Sequence, residues 1–454
     1  MCRSFATCIP ALAGAISLSS RGVPHYFFVR RRKLAAMTAT LERFREPGVL
    51  FALAVIVTYL LGMQLNLSNG CTVDELHHYP QIRMFAEGEF DIYWKLAMLP
   101  GYHAIVAAMA WLVGDHSLAM VRALSQLLCF PAIILFFLCA RELGKANRFS
   151  LSLLFFLSPL VFHFFFLIYT EIPSLLFLLG ALLLTLKRRY QLAGLVVLLS
   201  LLLRQTNVVW ALFYALIALG QEGVWGQLAR RDWQPALRCF ARLWLFVLAG
   251  FAFLAFVYWN GGVALGSSTG DLTIHELGRP YPTQVYLLLF TLFFLFLPLH
   301  IWNLPRIAAM IRRRPAMWLF IGVLFFVFYM ATFWVDHAWN RGEESLFYLR
   351  NRVLLWMRQE LWFRMIAFIP MLWACFSLCA TPLRHRYFYW LYPVAILAVL
   401  PHSFISPRYF IEPVTLFMLA HKLESAHLDR LTIAIYVPVT CYLYLGIGLS
   451  RFFI

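Results

Sequence analysis

The chain has 454 residues, of which 62% are hydrophobic and 13% charged, with a mean hydropathy of +0.75. A soluble domain carries about 45–50% apolar and about 25% charged residues, so a soluble enzyme, a disordered tail and a disulfide scaffold are excluded. The net charge of +17 sits in clusters between long apolar runs, which marks the inner loops of a membrane protein and not a nucleic-acid footprint.

Residues 1–47 read as a poorly ordered cytosolic leader. Its first twenty residues are small and apolar, and Arg30, Arg31, Arg32 and Lys33 follow them. A signal peptide has the reverse order; Met37 is an alternative start. The rest, 48–449, reads as one all-α polytopic membrane domain. A first span at 48–66 leads into a long outer segment, 66–117, which begins with the sequon Asn66-Leu67-Ser68. Within it, 99–114 reaches only about 24 Å as a helix at about 1.5 Å per residue. That is short of a hydrocarbon core of about 30 Å, so this stretch is expected to lie along the outer surface. Further spans are expected at 118–140, 149–168 and 171–186. The 190–220 run is broken by Arg204-Gln205-Thr206-Asn207 into two short spans, 190–203 and 207–220. Then come 241–258, 283–302, 317–334, 361–380, 387–400, 407–420 and 431–449, giving about 13 spans. This parity puts Arg141 with Lys145, the Lys187–Arg189 run, Arg230 with Arg231, Arg312 to Arg314, Arg384 with Arg386, and Lys422 with Arg430 all inside. The C-terminus falls outside, with outer loops at 66–117, 259–282 and 335–360. No segment alternates as a barrel strand would. The nine cysteines contain no C-x-x-C pair, against a zinc or redox site.

The polar residues left on the outer face carry the chemistry. Asp74 and Glu75 stand beside His77 and His78, with Gln81 and Lys95 further on. Carboxylates next to imidazoles suit a general base for a hydroxyl, or a divalent metal site using Asp74 and His78; a solvated charged loop is the plainer alternative. Glu171 closes a second outer cluster, and Arg204, Gln205 and Asn207 form a third. Trp259-Asn260-Gly261-Gly262 with Gly266, Asp336-His337 with Asn340-Arg341, and Pro407-Arg408-Tyr409-Phe410 complete the set. An arginine inside an apolar run faces protein or water, not lipid, although Arg204 and Arg408 could also snorkel or anchor. Arginines without a carboxylate adjacent in sequence suggest an anionic ligand such as a phosphate. No Walker loop and no G-x-G-x-x-G motif is present, so no nucleotide or other cofactor is expected. A substrate with a phosphate head and a lipid tail fits best.

These blocks resemble a family, the dolichyl-phosphate-glucose α-1,2-glucosyltransferases. The resemblance rests on Val73-Asp74-Glu75 with His78 and Pro80-Gln81, then Leu99-Pro100-Gly101-Tyr102; on Tyr169-Thr170-Glu171, where the family reads Y-Y-T-D; and on Leu203-Arg204-Gln205-Thr206-Asn207. Trp259-Asn260-Gly261-Gly262, Asp336-His337 with Asn340-Arg341, and Pro407-Arg408-Tyr409-Phe410 follow in the family's order. One departure is Ser267, where the family places an aspartate after Gly266; it puts the acceptor in doubt, and a bacterial relative would also fit. The resemblance implies a GT-C fold, a polyprenyl-phosphate sugar donor, a lipid-linked glycan acceptor and inversion at the anomeric carbon. It implies Asp74 as base with Glu75 in reserve. Arg204, Arg408 and, more weakly, Lys95 and Arg341 would hold the donor phosphate, while His78, Gln81, Gln205, Asn207, Glu171 and Asp336 bind sugar or orient the carboxylate. The membrane would be that of the endoplasmic reticulum in a eukaryote or the cytoplasmic membrane in a bacterium, with the site on the lumenal or periplasmic face. A GT-C transferase of another sugar and a lipid-linked-sugar transporter remain as alternatives; the latter would show paired broken helices, and only 190–220 is broken.

Overall fold

In the computed structural model the described residues are 47–67, 69–265, 279–341 and 346–454. The expectations for the leader, Ser68, Gly266 and Ser267 fall outside them. The chain divides into two units, Met1–Leu53 and Ala54–Ile454. Of the first, only the opening of helix α1 (Pro47–Leu67) is described.

The second unit is a helical membrane protein, with no named strand among the described residues and two isolated bridges, Tyr348 with Phe453 and Leu383 with His421. After α1 come α2 (Glu75–Ala86) and α3 (Gly101–Val113), packed on each other in the long segment before the next span. Next are α4 (Leu118–Cys129) and α5 (Pro131–Glu142). Ser117 caps the pair by accepting a hydrogen bond from the Met120 N–H at 3.3 Å. Pro131 fits the first turn of α5, where its missing N–H costs nothing. Then follow α6 (Arg148–Phe156), α7 (Glu171–Leu186), α8 (Tyr190–Ser200) and α9 (Val208–Gln221). Helices α10 (Trp233–Arg242) and α11 (Trp244–Asn260) meet at a 54° bend, and Gly261 ends α11 at φ 74°, a left-handed cap that glycine adopts freely. The remainder is α12 (Pro282–Leu295), α13 (Leu297–Trp302), α14 (Leu304–Arg313), α15 (Pro315–Thr332), α16 (Leu349–Gln359), α17 (Leu361–Ala380), α18 (Leu391–Val399), α19 (Ile411–Ala420) and α20 (Ala426–Gly448).

Five helical stretches are long and apolar enough to cross a membrane among the described residues: 48–65, 118–142, 315–332, 361–380 and 426–448. The bent α10–α11 pair makes a sixth if it crosses as one span. Their apolar surface faces outward. On α15, Leu319, Phe320, Val323, Leu324, Val327 and Phe328 are all exposed, an area that only lipid would cover. The other expected spans are built from shorter pieces. The 149–168 run stops at Phe156 because Ser158 precedes Pro159, which disfavours helical backbone before it. A 3-10 turn at Phe162–Phe165 continues it. The 190–220 run breaks where its polar residues fall, between α8 and a 3-10 turn at Gln205–Asn207. The 283–302 run splits at Phe296, with Pro298 opening α13.

Candidate active site

Four charged side chains from distant parts of the chain form one row. Asp74 precedes the first turn of α2, where the unpaired N–H groups of a helix favour negative charge. Val73 before it is β-branched yet adopts φ 49°, a left-handed conformation rare for such a residue; it aims the chain into α2. Asp74 pairs with Arg408, which comes from the 3-10 turn Pro407–Phe410. Arg408 Nε lies 3.9 Å from Glu171 Oε1, and the same oxygen lies 3.1 Å from Arg204 Nη1. Glu171 is the first residue of α7, and Arg204 stands extended just before the Gln205–Asn207 turn. The breaks in 149–168 and 190–220 thus place charges that continuous apolar helices would have kept apart.

Two chambers meet at this row. The larger, about 570 Å³, is lined by Asp74, His78, Lys95, Trp339, Tyr348 and Arg408, among others. The smaller, about 60 Å³, is lined by Glu171, Arg204, Gln205, His402, Arg408 and Tyr409, among others. Arg408, Ala97 and Met98 border both. Burial pushes the Asp74 carboxyl up, but the Arg408 guanidinium, aided by His78 and His77, outweighs it and holds the group below the usual carboxylate range. Burial lowers His78 to about 4, against the pull of Asp74 and Glu171, so its ring is neutral at pH 7. His78 Nδ1 lies 2.9 Å from His103 Nε2.

The other singled-out residues divide clearly. Glu75 does not face the larger chamber. It is fully buried, and both its oxygens are held by Arg122 at 3.0 and 2.6 Å and by the Thr72 and Ile168 N–H groups at 2.8 and 2.9 Å. Gln81 is also buried. It donates to the Asp91 carbonyl at 3.0 Å and accepts from the Tyr93 N–H at 2.6 Å, which ties the 87–95 loop to α2. Gln205 donates to the Ala97 and Val263 carbonyls at 3.0 and 2.6 Å and joins three segments of the chain. Asn207 holds Ser174 and the Ser200 carbonyl. Lys95 reaches the larger chamber with its ammonium 4.5 Å above the Trp94 ring. Asp336 and Arg341 are paired with each other at 3.3 Å, with Arg279 also on Asp336; neither lines the two chambers.

Several contacts of the site were not legible, even for Tyr169, whose motif the sequence shows. The Tyr169 hydroxyl accepts a hydrogen bond from the Asp74 N–H at 3.1 Å. Phe453 stacks on Tyr169, ring centres 6.0 Å apart, and joins the chamber-lining Tyr348 segment through the Leu349 N–H to Phe453 carbonyl bond of 2.8 Å. Arg350 lies over the Tyr348 and Phe404 rings at 4.3 and 4.9 Å. Arg122 did carry a signal: it is an arginine inside an apolar helix, the same feature that singles out Arg204. Among the described residues no group of three or more His, Cys, Asp or Glu is placed to hold a metal ion.

The model of the DIE2/ALG10 family matches residues 69–227 and 223–419, and the chain belongs to that family. With its helical architecture, this makes it a membrane hexosyltransferase. Among its relatives is the mouse protein named Dol-P-Glc:Glc(2)Man(9)GlcNAc(2)-PP-Dol alpha-1,2-glucosyltransferase, 27% identical over 76% of this chain and 83% of the relative. A human protein of the same name is 26% identical over the same shares. The Candida albicans protein of that name is 21% identical over 88% of this chain and 95% of its own length. No solved structure matches.

Proposed function

We propose that the protein transfers glucose from a polyprenyl phosphate, such as dolichyl phosphate, to a hydroxyl of a lipid-linked oligosaccharide, with inversion, on the lumenal or periplasmic face of its membrane. The observation that carries this reading is the placement of Asp74 on a large chamber, next to a guanidinium shared with a smaller, arginine-walled one. The acceptor oxygen attacks the anomeric carbon while Asp74 takes the hydroxyl proton. The bond from that carbon to the phosphate oxygen breaks, and its electron pair leaves with the polyprenyl phosphate. Arg408 and Arg204 stabilise the charge that develops there, so the leaving group needs no acid. His78, neutral and buried, orients the carboxylate. No cofactor enters these steps.

The test is transfer by the purified full chain from polyprenyl-phosphate-glucose to a lipid-linked oligosaccharide lacking its last glucose. An α-linked glucosylated product, from a β-linked donor, with turnover unchanged in excess chelator, is the expected outcome. No transfer from that donor, or a retained β linkage, would refute the reading. Loss of turnover on chelation would return Asp74 and His78 to a metal-binding role.

A further inference from the structure

Asp74 as found is poorly prepared to be a base. Arg408 occupies one of its oxygens and favours the ionised form. Yet Arg408 is equally a wall of the smaller chamber. Several polar atoms of that chamber's walls are buried without a well-aligned hydrogen bond: Arg408 Nε, Arg204 Nη1, Glu171 Oε2 and the Tyr409 hydroxyl. The guanidinium N–H groups and the Tyr409 hydroxyl among them are donors that need a partner, and an anion would satisfy the two guanidiniums together, whereas Glu171 Oε2 is an acceptor. The row also balances without a ligand, two cations against two carboxylates. A phosphodiester entering it adds one negative charge that only a rearrangement of pairs can accommodate.

We propose that Asp74 and the donor phosphate compete for one guanidinium, Arg408, so that the donor binds first and thereby frees the carboxylate to act as base, with Glu171 as the positioning residue that keeps Arg408 between them. This rests on the glycosyl-transfer reading above. The exchange is an ion-pair swap. Arg408 turns from Asp74 toward the phosphate while Glu171, between Arg204 and Arg408, holds both guanidiniums at the chamber wall. Burial then acts on Asp74 without its main counter-charge and raises its proton affinity at the moment the acceptor hydroxyl must give up a proton. On transfer the proton moves to Asp74, neutralising it, and the phosphate gains the second negative charge as its bond to glucose breaks. The charge that left Asp74 thus reappears on the group Arg408 now holds. Acceptor binding before the donor would meet a carboxylate still tied to arginine, so misordered binding yields no activated hydroxyl. The groups that face Asp74 besides Arg408 are His77 and His78 from α2, Tyr169, Tyr348 and Arg350. Of these only the histidines ordinarily titrate near neutrality, and burial lowers both, His78 to about 4.

A carbodiimide modifies protonated carboxyl groups and reads the exchange directly. The full chain in lipid nanodiscs is treated near pH 6 with and without polyprenyl phosphate, and Asp74 labelling is quantified by peptide mass spectrometry. Labelling is expected to rise several-fold with polyprenyl phosphate. In Arg408→Gln it should be high without the lipid and unresponsive to it. In Arg408→Lys the response should persist, which guards against a folding defect. In Glu171→Gln the rise should need a higher lipid concentration; an unchanged concentration would remove Glu171 from the role. Inorganic phosphate at matched concentration should have little effect, because the tail supplies most of the binding. Native mass spectrometry on the same samples reports whether the lipid is bound. Bound lipid with unchanged or lowered labelling overturns the exchange alone. No bound lipid overturns the exchange and the glycosyl-transfer reading together.

Discussion

Asp74 and Glu75 are adjacent carboxylates that the sequence cannot rank, and their surroundings separate them completely. Asp74 borders a chamber, whereas Glu75 is locked to Arg122, 47 residues away in the chain. The two should fail in opposite ways. Asp74→Asn is expected to lower turnover by about 10²–10⁴-fold and to lower the unfolding temperature less than Glu75→Gln, because Arg408 still has Glu171 at 3.9 Å. Glu75→Gln leaves a buried guanidinium uncompensated and should cost about 3–5 kcal/mol of stability, read as a lower unfolding temperature in detergent. Equal loss of activity at equal stability in both would remove this distinction. His78 makes a third case. Its native proton affinity is depressed to about 4, so below its ordinary value near 6.5 the unfolded chain takes up the proton first. Stability should therefore fall as pH drops from about 6.5 toward 4, and His78→Asn should flatten part of that slope. The pattern Asp-Glu-x-x-His was legible because its spacing is local. Its division of labour was not, because Arg122, Tyr169, His103 and Arg408 reach it from elsewhere.

At the scale of elements, the breaks matter more than the helices. The break after α8 was legible from its run of polar residues. The one after α6 was not, since its residues are apolar and only Pro159 interrupts them. What holds the first break in place is a backbone contact. The Gly101 N–H donates to the Leu202 carbonyl at 2.8 Å, and a Cβ on Gly101 would lie 2.6 Å from that oxygen. Any side chain there must push α3 from the strip that carries Arg204. Gly101→Val is expected to reduce donor use by about 10²-fold through misplacement of Arg204 and Gln205, measured as kcat/KM for the polyprenyl-phosphate sugar. Wild-type values in that variant would show that the contact between α3 and the Leu202 turn does not position the site. The glycine was visible in the sequence; the oxygen that forbids its replacement belongs to a segment about a hundred residues later.

For the whole molecule, composition identified a membrane protein, and the outward-facing apolar side chains of α15 express the same fact in space. The span number was less legible, because hydropathy sees apolar length and does not see where a proline or a buried charge divides it. The end of the chain bears on the parity. Phe453 stacks on Tyr169, whose hydroxyl accepts from the Asp74 backbone, so the tail and the site lie at the same end of the helices. An epitope following Ile454 should therefore be reached only from the face that carries Asp74, which on the positive-inside expectation is the outer one. Accessibility of that epitope in sealed inside-out vesicles would overturn the parity.

The row Arg204–Glu171–Arg408–Asp74 also has a consequence for biogenesis. Asp74 and Arg408 are 334 positions apart, and the stack on Tyr169 waits for Phe453. Membrane insertion proceeds from the first helix onward, so the carboxylate is delivered early and its arginine partner only 334 residues later. A nascent chain that has inserted most of its helices still holds Asp74 unpaired at the membrane surface. Closure across these 334 positions, with the entropy cost that length imposes, therefore comes late in maturation, and the row is assembled only after the segment carrying Arg408 has inserted.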